Sequence, residues 1–281
     1  MKTFSVGPGG ERFRTVPCPL CGSERRRQRF AGEGCRFVDC LDCGLVYQDP
    51  QPAFEEVAGR YGQAYFEYER ANEANFFRLM ELGLRDIGFE ELTADLPAPK
   101  RALDVGCATG MLLERLRAGG WEVQGLDLCR ESAEYARRKR GIPVFIGTLE
   151  QARFPDGRFA FVHFSHLIEH LTDPAGFLRE VHRVLSPQGY AAVTTPNIAG
   201  LQARLFRERW RSAIADHLCL FSVRTLRRLL EGCGFRVLKT QTWGGLARGA
   251  SPGWLKAPAD YLAKRLGFGD VVLMLVRKDT G

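Results

Sequence analysis

Two acids and two glycines, Asp104, Gly106, Gly110 and Asp127, carry the clearest chemical pattern in this chain. An apolar run through Ala102, Leu103 and Val105 ends in a glycine-spaced turn, and a helical pattern starts near Thr109. A second apolar run, Val123 to Leu126, closes on Asp127, 17 residues after Gly110. Strand, glycine loop, helix, strand and acid is the order that seats an adenine nucleoside or nucleotide on a parallel sheet. Gly106 and Gly110 allow a sharp turn and a close backbone approach that a Cβ would obstruct. Asp127, at the carboxyl end of its strand, can accept hydrogen bonds from both ribose hydroxyls. Asp104 departs from a dinucleotide site, because a carboxylate there repels a pyrophosphate and suits a cation. The third glycine of the dinucleotide fingerprint is also missing. The competing reading is an ordinary strand–helix–strand unit whose glycines only make turns.

The cysteines form a second pattern. Cys18 and Cys21 make one Cys-x-x-Cys pair, Cys40 and Cys43 another, with 18 residues between the pairs. That spacing falls in the range of a four-cysteine zinc site, where each tight turn supplies two thiolates of a tetrahedron. Gly22 and Gly44 follow the pairs and can take the left-handed conformation that closes such turns. A disulfide or redox pair fits less well, with no strand–helix–strand context and no export signal. Cys18, Cys21, Cys40 and Cys43 are therefore expected to hold structural zinc. Cys35 is a spare thiol, and Cys107, Cys129, Cys219 and Cys233 sit among apolar residues as small core groups.

Asp104-Val-Gly-Cys-Ala-Thr-Gly110 resembles the first motif of class I S-adenosylmethionine-dependent methyltransferases, and Asp127 resembles their ribose acid. Gly147-Thr-Leu-Glu150 with Phe154-Pro-Asp-Gly157 resembles the adenine-side loop after the third strand. His166-Leu-Ile-Glu-His-Leu-Thr-Asp-Pro174 resembles the motif after strand four in the ubiquinone-biosynthesis-like subgroup. Leu185-Ser-Pro-Gln-Gly189, Thr195-Pro-Asn197 and His217-Leu-Cys-Leu-Phe-Ser222 continue the likeness, which spans residues 98–281. Ala160 and Gln188 depart from it, standing where an acid and a glycine are usual. The resemblance implies S-adenosylmethionine as cofactor. Its binding residues would be Asp104, Gly106, Cys107, Gly110, Asp127, Leu128, Thr148, Leu149, Ser165 and His166. The sulfonium and ammonium of that molecule, and its lack of phosphate, agree with Asp104 beside the loop.

Methyl transfer from a sulfonium is an in-line displacement, and positioning alone can contribute about 7–11 kcal/mol. An oxygen or activated carbon nucleophile also needs a base. His170 follows strand four at the carboxyl end of the sheet, where ligands bind. An imidazole there accepts a proton near neutral pH, worth about 10²–10⁴-fold. His217 is the second candidate base, with packing beneath the next helix as the alternative. Glu169 either orients a partner or faces solvent, and Asn197, at the end of strand five, is expected to face the substrate. His163 and His182 read as a strand residue and a helix-face residue. No cluster of carboxylates marks a catalytic metal.

These residues need elements to position them. Strands are expected near 101–106, 122–127, 143–146, 159–165 and 190–195, with helices near 109–118, 131–140 and 174–185. Asp173-Pro174 is a strong helix start, and Ser222 can cap a helix reaching Cys233. Two late strands near 235–240 and 270–277 complete the pattern. Alternating strands and helices give a doubly wound, Rossmann-like α/β sheet. The resemblance makes it seven-stranded with the last strand antiparallel. Residues 14–50 read as a zinc ribbon too small to be stable without metal. Residues 51–97 read as a helical connector, in which Tyr61, Tyr65 and Phe66 either cover the cofactor or pack between modules. Residues 98–281 form the methyltransferase domain, and 244–269 reads as a long insertion that covers the substrate.

The chain has 281 residues with 45% hydrophobic and 26% charged, the composition of a globular protein with one large domain and a small module. The opening residues lack a signal-peptide core, and the run 271–276 is far too short to span a bilayer, so a cytoplasmic protein is expected. The net charge of +7 is concentrated in 203–265, with 13 Arg or Lys against 4 Asp or Glu, and in Arg25, Arg26, Arg27 and Arg29. Such surfaces attract RNA, anionic membrane or phosphorylated small molecules, or serve only as solvated faces. The leading reading is methyl transfer to an O or C nucleophile of a small molecule, such as a sugar nucleotide or secondary metabolite. An RNA methyltransferase gripping nucleic acid through the ribbon, and a non-catalytic binding module, are the alternatives. Salt-sensitive RNA binding would favour the first, and lack of cofactor affinity the second.

Overall fold

The computed structural model describes residues 5–6, 12–32, 35–244, 263–264 and 266–279, so most of the insertion expected at 244–269 lies outside the described residues. Six short strands come first: β1 (Ser5–Val6), β2 (Arg12–Arg14), β3 (Arg26–Gly32), β4 (Cys35–Cys40), β5 (Val46–Gln48) and β6 (Gln51–Pro52). Helices α1 (Phe54–Ala58), α2 (Gln63–Asp86) and α3 (Phe89–Thr93) follow. The chain then alternates: β7 (Arg101–Val105), α4 (Met111–Ala118), β8 (Glu122–Asp127), α5 (Arg130–Arg140), β9 (Val144–Ile146), α6 (Leu149–Ala152), β10 (Phe159–Ser165), α7 (Pro174–Val184) and β11 (Leu185–Pro196). It closes with α8 (Leu201–Phe206), β12 (Cys219–Leu220), α9 (Val223–Gly232), β13 (Phe235–Trp243) and β14 (Val271–Lys278).

Seven strands form one sheet in the order β13-β14-β11-β10-β7-β8-β9. Strands β7 to β11 run parallel, and β14 is antiparallel to both its neighbours, as the resemblance implied. Successive side chains of a strand point to opposite faces. Val162 and Phe164 therefore join Leu178 of α7 and Leu226 of α9 in one core, while Phe161 joins Leu84, Phe89 and Leu112 on the other side. Both faces are covered, which is why these strands read as nearly continuous apolar runs. The helix starts are built as their residues imply. The Asp173 carboxylate accepts the Gly176 amide at 2.8 Å ahead of Pro174, and Ser222 and Thr225 form a reciprocal capping box. Gln188 holds φ 61°, the left-handed conformation a glycine would adopt freely at that position.

The cysteine module is not isolated from this body. Strand β12, from the far end of the chain, pairs antiparallel with β5 and completes a four-stranded sheet β12-β5-β4-β3. Phe37 and Val46 share a core with Trp210 and Leu220. The module thus gains from the larger domain buried surface that its own 14–50 segment is too short to supply.

Candidate active site

The carboxyl ends of the parallel strands open into a cavity of about 860 Å³. At one end the loop after β7 is pinned to the neighbouring strand, because Gly106 and Cys107 both donate their amides to the Leu126 carbonyl, at 2.8 and 3.1 Å. Gly106 adopts φ 74° and lines the cavity. Gly110 does not line it. Its φ of 80° starts α4, and its missing side chain would meet the Ala136 Cβ at 3.1 Å, so it lets α4 and α5 pack. Asp127 accepts the amides of Ala108 and Cys129, both at 2.8 Å. Burial pushes its carboxyl up to about 6, despite these amides, with Asp104 adding to the rise. Cys107, Leu128, Thr148, Leu149, Ser165 and His166 also line this cavity.

Asp104 is 3% exposed and meets His163 Nδ1 at 2.7 Å across the β7–β10 register. His163 was legible only as a strand residue, although a histidine spaced two from Ser165 on a buried strand is a signal that both face the strand-end cavity. Glu69 went unnoticed. It sits one turn beyond Tyr65 on α2, accepts from Ser132 at 3.4 Å and lines the cavity. Burial first, then the Asp127 charge, push it up to about 8. Tyr65, Glu69, Phe76 and Met80 of α2 line the cavity, so that helix presents one face to it, and Tyr61 joins them from the preceding turn. Phe66 packs on Tyr135, with ring centres 5.6 Å apart.

The other end is assembled from segments far apart in sequence. Glu169 is fully buried rather than facing solvent. It meets His166 Nδ1 at 3.2 Å and accepts the Thr195 hydroxyl at 2.8 Å. Burial alone would raise its carboxyl, but the His166 hydrogen bond and the nearby imidazoles of His166, His170 and His217 bring it down to about 2. His170 donates Nδ1–H to the Asp216 carbonyl at 2.9 Å, and His217 donates Nδ1–H to the Ser212 carbonyl at 2.8 Å. A carbonyl only accepts, so Nε2 of both rings carries the lone pair. The two rings lie edge to face, 4.8 Å apart, and Tyr61, in the turn before α2, approaches His170 with ring centres 6.3 Å apart. Burial pulls His217 down to about 4, which keeps it neutral near pH 7. Ligand atoms of Glu169, His170 and His217 lie within 4.8 Å of one another, a set able to hold a metal ion that contains just one carboxylate. Asn197, expected to face the substrate, is fully buried and does not line the cavity. Its amide donates to the Gly269 carbonyl at 2.8 Å and its oxygen accepts the Ala199 amide, fixing the turn after β11.

The thiols of Cys18, Cys21, Cys40 and Cys43 converge within 4.8 Å, with Cys18–Cys43 and Cys21–Cys40 sulfurs 3.5 Å apart. A tetrahedron of Zn–S bonds sets sulfurs about 3.8 Å apart, so the set can hold zinc. Gly22 and Gly44 take φ 72° and 79° and donate back to the Cys18 and Cys40 carbonyls. The thiols shift in opposite directions: burial raises Cys18 and pushes Cys43 up to about 11, whereas at Cys40 the backbone amides of Asp42 and Cys43 outweigh burial and bring it to about 7. No helix among the described residues is long and apolar enough to cross a membrane.

A doubly wound seven-stranded sheet with a carboxylate-lined cleft at its strand ends is the architecture of an S-adenosylmethionine-dependent methyltransferase. The profile of the methyltransferase-domain family matches residues 76–240, and the chain belongs to that family. The ubiquinone biosynthesis O-methyltransferase of Proteus mirabilis is 33% identical over 151 residues, 51% of this chain and 58% of that protein. That of Marinobacter nauticus is 31% identical over 160 residues, 54% and 63% respectively. The chain thus matches less than two thirds of the length of these relatives. Among solved structures, a methyltransferase of Archaeoglobus fulgidus superposes with TM-score 0.55 at 20% identity, covering 77% of this chain and all of that one. A Thermotoga maritima protein described as a possible histamine N-methyltransferase gives TM-score 0.53 at 21% identity, covering 76% and 98%. These two likenesses concern the fold.

Proposed function

We propose that the chain transfers the methyl group of S-adenosylmethionine to an O or C nucleophile of a small molecule. The observation that carries this is one continuous cavity joining the Asp104–Gly106–Asp127 end to the histidines around Glu169. Asp104 and Asp127 would hold the ammonium and the ribose. His170 would take the acceptor proton through Nε2, oriented by Asp216, with neutral His217 as its neighbour. Sugar nucleotides and phenolic secondary metabolites are the acceptor classes proposed, and the relatives' ubiquinone chemistry keeps phenols in the set. Zinc on the four cysteines is proposed as structural. Cofactor-consumption assays against sugar nucleotides, phenols and RNA test this, and turnover on RNA alone would displace the small-molecule reading.

A second reading rests on the same histidines. Glu169 and the two Nε2 atoms would hold a divalent cation, which supplies charge that lowers the pKa of an acceptor hydroxyl. The Nδ1–H bonds to backbone carbonyls are the outer contacts that orient metal-binding histidines. Metal that persists in Cys40→Ser and is lost on adding His217→Ala would favour it. The four arginines that the RNA reading relies on are each paired with a carboxylate. Arg25 pairs with Asp42, Arg26 with Asp49, and both Arg27 and Arg29 with Asp39.

A further inference from the structure

We infer that Arg211, Gln202 and Ser212 form an oxyanion subsite, and that the methyl acceptor carries a phosphoryl or carboxylate group there. This rests on the proposed function, since it describes the acceptor of that same cavity. All three residues line the cavity, together with His217 and Asp270. Asp270 is 1% exposed and gives one oxygen to the Trp210 indole N–H at 2.6 Å and the other to Arg211 Nε at 2.7 Å. Trp210 is itself buried against Ile198 and Ala203, so the carboxylate that aims Arg211 is fixed from behind. The bond through Nε leaves the two Nη groups without a hydrogen bond to any described residue, on a side chain that is 62% exposed. That edge of a guanidinium matches two oxygens of a phosphate or carboxylate.

Gln202 and Ser212 supply the independent observation. They are 7% and 4% exposed, yet neither side chain hydrogen-bonds a described residue. Buried polar side chains are normally partnered, so an amide and a hydroxyl left open on a cavity wall are partners for a ligand. With the guanidinium they offer a set dominated by donors, which an oxyanion satisfies and an apolar acceptor would leave unpaired. The subsite adjoins the neighbour of the proposed base, because the Ser212 carbonyl orients His217 at 2.8 Å, and the His217 ring lies 4.8 Å from that of His170. The sequence is also strongly basic here, with 13 Arg or Lys against 4 Asp or Glu over 203–265, a balance that favours anions.

The test titrates the full chain, saturated with S-adenosylhomocysteine, with pyrophosphate, UDP and benzoate by calorimetry. At least one should bind. Arg211→Gln should weaken that ligand by about 10- to 100-fold, the worth of a hydrogen bond to a charged group, with S-adenosylhomocysteine affinity unchanged. Binding of pyrophosphate or UDP assigns a phosphoryl group, and binding of benzoate alone assigns a carboxylate. No heat from any of the three, or equal affinity in Arg211→Gln, overturns the subsite. If Arg211→Gln does not fold, Gln202→Leu with Ser212→Ala decides in the same way. A wild-type chain that fails to bind S-adenosylhomocysteine would sink the proposed function instead, so the two failures are distinguishable.

Discussion

The two ends of the cavity are built on different principles. The donor end comes from consecutive strand–loop units, so Asp104, Gly106 and Asp127 lie within one short stretch of chain and the register of β7 with β8 brings them together. The end proposed for the acceptor draws Tyr61, Glu169, His170, Arg211, His217 and Asp270 from four separate segments. A donor that is always the same molecule can be met by local backbone geometry. An acceptor that varies between enzymes is met by tertiary contacts, which leave no spacing to read.

Substitutions should separate the two ends cleanly. The largest expected effect is His170→Ala, which should slow methyl transfer by about 10²–10⁴-fold if His170 is the base, with the affinity for S-adenosylmethionine unchanged. Single-turnover rates and calorimetry check this, and a parallel loss of cofactor affinity would mean that the ends are not independent. Next in size, Asp127→Ala should weaken cofactor binding about 10- to 100-fold through lost hydrogen bonds to a charged group. Metal content and the histidine cluster should not respond. Unchanged affinity would remove Asp127 from the donor end.

A smaller, graded effect follows from pH. Asp127 at about 6 and Glu69 at about 8 are both raised, so the empty folded protein holds protons that the unfolded chain releases. Their contribution to stability is present at acidic pH and is lost as pH rises through these values. Cofactor binding has the opposite sign, because a cationic donor with ribose hydroxyls favours the ionised carboxylates. Affinity should therefore rise with pH, by up to about tenfold per unit between the two values and more steeply below the lower one, and level off above the upper. Glu69→Gln should remove the upper bend and Asp127→Asn the lower. An affinity flat between pH 5 and 9 would show that neither acid faces the ligand.

Much of the scaffold could be read from the chain because its determinants are local. Asp173-Pro174 and Ser222 start helices through their own backbone bonds, and the apolar runs at 101–105 and 159–165 are strands covered on both faces. Glu69, Glu169 and His163 could not be ranked, since their chemistry depends on burial and on partners from other elements. Asn197 looked like a substrate contact from its place at a strand end, yet its side chain is consumed by the Gly269 carbonyl and the Ala199 amide. The convergence of Cys18, Cys21, Cys40 and Cys43 was legible because each Cys-x-x-Cys turn brings two thiols together locally. What that spacing could not show is where the module docks.

That docking ties the cysteine module to the end proposed for the acceptor. Gln48, in β5, donates its side-chain amide to the carbonyls of Ala215 and His217 at 2.9 Å each, and its backbone amide to Leu218. The segment that carries Arg211, Ser212 and His217 is thus held by the strand that follows Cys43. Gln48→Leu would leave those buried carbonyls unpaired at about 1–3 kcal/mol and loosen that wall. Expected outcomes are faster hydrogen exchange across 214–220 and a modest fall in turnover, with cofactor affinity intact. Cys40→Ser should release zinc and give the same signature, since β5 then loses its own support. If exchange at 214–220 stayed at the wild-type rate in both variants, the acceptor wall would be self-supporting, and the module's purpose would lie elsewhere.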